Sequence, residues 1–285
     1  MLELAGRSRP RWTLAAAIAV ALAASGCRLR PSKSSAPGKS SSGVSAHCQN
    51  GALALDGPYK YENNQWGSGK ARGRFEQCLL ERRIGDRTER GWSWSWPGLD
   101  RSVFAYPEIV FGWKPWSGGG STDARLPRRI SEIEHLSIDY EVETTASGAY
   151  NLAPEVWLTT GVPRAKEPNP GLISAEIMFW MESSGEAQPA GRVIDRVTLD
   201  GAPYELWKAE SIGDKGNGTG WVLYSFRSPT TRRAGVLRVH ALLDYLVQRG
   251  HVDPTHYVAS IEFGNEIVGG SGTTWVRRYA VDVRP

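Results

Sequence analysis

The chain's 285 residues, 40 % hydrophobic and 22 % charged, leave room for one large globular domain or two modest ones. The whole net charge of +4 sits in the first thirty residues, where Arg7, Arg9, Arg11, Arg28 and Arg30 face only Glu3. Lys33 and Lys39 follow close behind, so the remainder is slightly acidic and has no basic stripe to track phosphates, which argues against a nucleic-acid partner. Twelve Trp beside 32 Gly and 17 Pro fit strands punctuated by turns, with the rings either in a sandwich core or stacked on sugars.

The arginines run into an apolar stretch, Thr13 to Ala24, about half the ~20 residues a bilayer span needs. It ends in Ala24-Ser25-Gly26 before Cys27, which predicts an export signal over residues 1–27. The Ser-Gly-Cys ending resembles a lipobox. Cys27 would then be lipidated and would anchor the chain at the outer surface or in the periplasm. Ala24 stands where leucine is usual, so a plain secretory signal stays open. Residues 28–46 are Ser, Pro, Gly and Lys with almost nothing apolar, and read as a flexible tether. Residues 47–285 read as one domain without an internal repeat. With Cys27 set aside for lipid, Cys48 and Cys78 are a pairable number. A bridge between them would close a loop of about thirty residues and stabilise the fold by ~3–4 kcal/mol in the chain-entropy model; two free thiols are the alternative.

Further along, period-two alternation marks strands. Leu152, Pro154, Val156 and Leu158 share one face of the run 151–158, opposite Asn151, Ala153, Glu155 and Trp157. Ile177, Phe179 and Met181 oppose Glu176, Met178 and Trp180. Residues 221–226, 257–266 and 275–283 read as further strands, and Pro154 suggests an edge or a bulge. Glycine clusters at 117–120, 214–218 and 269–272 read as turns. One helix is expected near 239–249, with Val239, Leu242, Leu243, Leu246 and Val247 on one face and Gly250 as its C′ residue. Many strands, one short helix and one domain predict an all-β sandwich or jelly roll.

Three strand glutamates stand among Trp and Met: Glu155, Glu176 and Glu266. A carboxylate on so apolar a face is either paired in a buried site or lines a cleft. Taken together, with no candidate metal cluster, the three suggest glycosidic-bond chemistry, which uses one carboxylic acid and one carboxylate.

These segments resemble glycoside hydrolase family 12 along nearly all of 47–285. Asn63-Asn-Gln-Trp-Gly67 is similar to the family's Asn-Asn-Leu-Trp-Gly. Trp92, Trp94 and Trp96 are similar to its Trp-rich strand, and Tyr106 to Trp116 to a Tyr-Pro-Glu-Ile…Gly…Lys-Pro-Trp block of the bacterial branch. Asn151 to Trp157 resembles the strand that carries the acidic residue beside the nucleophile. Glu176-Ile-Met-Phe-Trp180 and Phe263-Gly-Asn-Glu266 are similar to its nucleophile and acid/base motifs. Departures are Gln65 for Leu and Asn265 for Thr. The resemblance implies a curved two-sheet jelly roll, a Cys48–Cys78 disulfide and a retaining endo-β-1,4-glucanase without a cofactor. It implies Glu176 as nucleophile, Glu266 as acid/base with the two carboxyls about 5–5.5 Å apart, and Glu155 hydrogen-bonding Glu176. Asn64 and Trp66 would hold a sugar, Met178 and Trp180 would line the floor, and Trp113, Lys114 and Trp116 are further cleft candidates.

Other signals point nowhere. His47, His135, His240, His251 and His256 lack metal-ligand spacing. There is no Gly-x-Ser-x-Gly elbow, and Glu108 and Glu262 read either as structural or as supports behind the site residues. A non-catalytic glucan-binding lipoprotein on the same sandwich is the rival reading; it would keep the Trp residues without needing both Glu176 and Glu266. The partner expected is a β-glucan chain, with the membrane reached only through lipid, and the protein is expected to be a monomer.

Overall fold

Alternating apolar and polar side chains give an extended chain one face to bury, and sheets pack to bury it. The computed structural model describes residues 43–98, 103–163, 167–213 and 220–285. The expected export signal, Cys27, most of the tether and the turn at 214–218 lie outside the described residues. The described strands are, in chain order, β1 (Ser45–His47), β2 (Leu53–Asp56), β3 (Tyr59–Glu62), β4 (Glu76–Ile84), β5 (Arg87–Trp96), β6 (Glu108–Gly112), β7 (Arg128–Arg129) and β8 (His135–Thr159). They continue as β9 (Ile173–Trp180), β10 (Glu182–Ser184), β11 (Arg192–Leu199), β12 (Ala202–Ile212), β13 (Trp221–Arg227), β14 (Ala234–Leu237), β15 (Tyr257–Gly264) and β16 (Ile267–Arg284). One α-helix, α1 (Val239–Gln248), stands between β14 and β15.

The strands form two sheets. The first runs β1-β4-β5-β16-β8-β14, with β10 beside the end of this stretch of β8. The second runs β2-β3-β6-β15-β8-β9-β13-β12-β11, with β7 beside the start of β15. Strand β8 serves both, pairing with β16 over 135–150 and with β15 over 153–159. The β9–β13 pair is parallel and its neighbours are antiparallel.

The inward faces fill one core. Trp92, Trp94 and Trp96 of β5 and Ile138 and Tyr140 of β8 come from the first sheet. Ile109 and Phe111 of β6, Ile261 and Phe263 of β15, and Ile177 and Phe179 of β9 come from the second. Helix α1 adds Val239, Leu242, Leu243 and Leu246 to the same cluster. Gly250 ends it at φ +70°, with His251 N–H on the Leu246 carbonyl and Gly250 N–H on that of Val247, at 2.9 Å each, a Schellman closure. The result is the expected two-sheet β-sandwich with one short helix. Cys48 and Cys78 are disulfide-bonded, tying the chain after β1 to the strand that β1 pairs with.

Three expectations are corrected. The tether does not reach Ala46, because Ser45 and Ala46 already pair with Glu81 and Leu80 of β4. Gly269 to Gly272 is no turn but the interior of β16, opposite Gly148 and its neighbours on β8. A side chain at Gly269, Gly270 or Gly272 would run into the Gly98 backbone, the Ser147 carbonyl or the Trp94 ring respectively, so these glycines serve close approach. Pro154 is at neither an edge nor a bulge: it faces Phe263 of β15, and pairing with β9 begins only at Glu155. It marks where β8 passes from one sheet to the other.

Candidate active site

On the face of the second sheet turned away from the core, register decides which side chains meet. Glu62 of β3 lies beside Glu108 of β6, and Glu262 of β15 beside Glu155 of β8. Glu155 in turn lies beside Met178, and Glu176 lies between Trp157 of β8 and Leu223 of β13. Five glutamates therefore share one face, and Glu266 follows on the link from β15 to β16.

Glu176 is 8 % exposed. Its Oε2 accepts the Trp221 indole N–H at 2.7 Å. Burial pushes its carboxyl up to about 8; the Trp221 hydrogen bond works against this, and Glu266 and Glu262 add to it. Glu266 is held by Asn151, whose side-chain amide donates to Oε2 and whose Oδ1 accepts the Glu266 N–H at 2.9 Å. Burial pushes Glu266 up to about 7, with the Asn151 amide opposing. Burial thus lifts both carboxyls toward neutral pH. Glu155 is pushed well above the carboxylate range by burial first and by the charge of Glu176 second.

The link that carries Glu266 is anchored from the core. Asn265 Nδ2 donates to the Asn151 carbonyl at 2.7 Å, and its Oδ1 accepts from Trp92 Nε1 at 2.7 Å and Thr274 Oγ1 at 2.8 Å. Gly264 has to be glycine because a Cβ there would overlap the Pro107 carbonyl oxygen.

Lys114 is 5 % exposed and lies among carboxylates: Nζ is 2.5 Å from Glu108 and 3.6 Å from both Glu62 and Glu262. Burial disfavours its charge, but Glu108, Glu262 and Glu62 outweigh that and keep it protonated. Burial and the neighbouring Glu262 push Glu108 well up. Glu262 is also penalised by burial, yet Lys114 and hydrogen bonds from Glu108 and Ser260 hold it below the usual range. Lys114 is therefore the counter-charge of a buried carboxyl cluster rather than a surface contact. Trp113, 0 % exposed, packs with Trp157, Ile173 and Ala259 and is wall rather than platform.

The remaining candidates sit on the site's surface or floor. Asn64 Nδ2 donates to Glu108 at 2.8 Å. Trp66 is 57 % and Trp116 38 % exposed, so both present ring surface. Met178 and Trp180 are buried beside Ala153 and Leu223. Sequence reasoning missed the roles of Trp221 and Asn151. Trp221 opens a strand after a glycine-rich stretch, and only the parallel pairing of β13 with β9 brings it to Glu176.

Known proteins share this fold. The sequence profile of glycosyl hydrolase family 12 matches residues 57–284. Endoglucanase S of Pectobacterium parmentieri is 31 % identical over 227 residues, which cover 79 % of this chain and 82 % of that protein. The native family 12 xyloglucanase from Bacillus licheniformis superposes with a TM-score of 0.75 at 27 % identity, covering 84 % of this chain and all of that one. Endoglucanase Cel12A from Rhodothermus marinus gives 0.67 at 25 % identity, over 84 % and 99 % of the two chains. This chain therefore belongs to glycoside hydrolase family 12, as an endoglucanase-type glycoside hydrolase.

Proposed function

We propose that the protein is a retaining endo-β-1,4-glucanase in which Glu176 is the nucleophile and Glu266 the acid/base. The observation that carries this reading is the pair itself: two carboxyls lifted by burial, each with one oxygen held by a neutral donor. In the productive form the proton sits on Glu266. A Glu176 oxygen attacks the anomeric carbon, the glycosidic C–O bond breaks, and Glu266 gives its proton to the departing oxygen. Glu266, now a carboxylate, takes a proton from water as that water attacks the same carbon. Glu176 leaves as a carboxylate and the acid/base is reprotonated. Two inversions retain configuration. Neutral Glu155 beside Glu176 limits the negative charge in the site, and Trp66 and Trp116 offer rings for stacking on sugars.

Cellulose-like, mixed-linkage and xyloglucan chains are the substrate class. The structural likeness to a xyloglucanase supports testing branched chains alongside linear ones. The test is reducing-end release by residues 43–285 on carboxymethylcellulose, mixed-linkage β-glucan and xyloglucan, beside Glu176→Ala and Glu266→Ala. Each variant is expected to lose at least about 10³-fold in kcat while still binding glucan. Full turnover in either variant would sink the assignment. Absence of turnover in the native protein, with binding intact, would favour the non-catalytic reading.

A further inference from the structure

Resting on Glu176 as the nucleophile, the geometry points to Trp221 as the positioning residue that selects which carboxylate oxygen of Glu176 attacks and supports that carboxylate when it leaves. The indole N–H lies 2.7 Å from Oε2, so Oε2 is occupied and Oε1 is the oxygen with electron density to spare. The ring is confined. Trp116 and Trp157 meet it edge-on at 5.1 and 5.5 Å between centroids, and meet each other at 5.4 Å. These contacts close a triangle of three indoles that leaves Trp221 one orientation. The selectivity of the donor is informative: the buried indole N–H groups of Trp113, Trp157 and Trp180 near the same site have no partner among the described residues. Only Trp221 is aimed at the carboxylate.

A neutral N–H donor favours the charged over the protonated form of its acceptor. It therefore does two things in the sequence of bonds above. It favours the ionised form of Glu176 that attacks through Oε1. In the second half, as water adds and the C–O bond to Glu176 breaks, it stabilises the carboxylate that departs with the bonding electrons. The charges that work against ionisation face Glu176 from neighbouring elements, Glu262 on β15 and Glu266 on the β15–β16 link, while Glu155 on β8 is itself lifted by burial and by the Glu176 charge. The nearby cation, Lys114, is engaged with Glu108, Glu262 and Glu62. Trp221 is thus the group that offsets burial at this carboxyl.

The test is the pH dependence of kcat for native protein and Trp221→Phe on mixed-linkage β-glucan, with Glu176→Ala as the reference for the underlying reading. Phenylalanine keeps an aromatic ring and removes the N–H. The acid limb is expected to move up by about one pH unit, a tenfold change in ionised fraction. At the optimum, kcat should fall about tenfold with KM within about twofold, since the hydrogen bond acts on the reacting group rather than on sugar binding. An acid limb that stays in place, with Glu176→Ala inactive, overturns the role of Trp221 alone; turnover in Glu176→Ala overturns both readings. A second measurement does not depend on the variant folding. In isotope-labelled native protein one indole N–H resonance should titrate with Glu176, and that titration should vanish in Glu176→Gln. No such resonance would equally overturn the proposal.

Discussion

At Glu176 folding and chemistry pull in opposite directions. Burial lifts the carboxyl from 4.5 to about 8, so the folded state resists its ionisation while the unfolded chain ionises freely. A raised carboxyl of this kind adds no penalty below pH 4.5, and an increasing one as pH climbs through 8. Glu176→Gln should remove it, because the amide oxygen still accepts the Trp221 N–H and carries no charge to desolvate. The variant is expected to be inactive, yet more stable than native by on the order of 1–2 kcal/mol at pH 8, with the difference shrinking toward pH 4.5. Thermal unfolding of both proteins at pH 5 and pH 8 checks this; a variant destabilised at pH 8 would contradict it. The three glutamates were conspicuous in the sequence because they interrupt apolar strand faces. Lys114 and Trp113 were not readable in the same way. A residue's type shows what it can contact, but its burial depends on strands as far along the chain as β15.

At the scale of elements, the site depends on where strands end. Glu266 belongs to no strand; it is aimed by the close of β15, by Asn265 and by Asn151 across on β8. Gly264 packs against the Pro107 carbonyl with no room for a methyl group. Gly264→Ala should push the end of β15 away from β6 and carry Glu266 with it. The expected result is a destabilisation of about 1–3 kcal/mol together with a fall in kcat of about tenfold or more beyond the loss of folded protein. Activity normalised to the folded fraction separates the two effects; normal specific activity would show that Glu266 is held independently of Gly264. The alternation that revealed β9 and the second half of β8 worked because one face is core. It failed in β16, where glycines at 269–272 lie inside a ladder. Glycine signals both turns and close approach, and only the partner strand distinguishes them. A bulge between Val276 and Arg278 also breaks the strict period of that strand.

For the whole molecule, the balance of shifted carboxyls sets the response to pH. Glu108, Glu155, Glu176 and Glu266 are raised, chiefly by burial. Each contributes stability at acid pH that is lost as pH rises through its folded value. Others act in the opposite sense. Glu182 is penalised by burial, but hydrogen bonds from Arg233 and Tyr150 outweigh this and hold it low. The Arg125 hydrogen bond holds Asp123 low. The stability these two provide is lost as pH falls through their folded values. Thermal stability is therefore expected to peak in mild acid and to fall between about pH 5 and pH 8. On the proposed roles, attack needs Glu176 ionised and departure needs Glu266 protonated, so with values of about 8 and about 7 activity should rise from about pH 5 to a maximum between the two. Calorimetry and initial rates across that range check both; a melting temperature flat or rising toward pH 8 would contradict the first.

The sequence alone marked the second half of β8, β9, β13, β15 and the end of β16, the helix with its C′ glycine and the conspicuous glutamates. Each of these is a local matter of period, turn chemistry or one polar residue out of place. Its resemblance to a family named the chemistry. Only the tertiary structure decided which carboxyls are neighbours, that Lys114 is buried as their counter-charge, and that Trp221 and Asn151 each hold one oxygen of Glu176 and Glu266 respectively. Those contacts join β13 to β9 and β8 to the β15–β16 link, 45 residues apart in one case and 115 in the other. Register across non-consecutive strands leaves no local trace in the chain, because what it depends on is how two whole faces fit together.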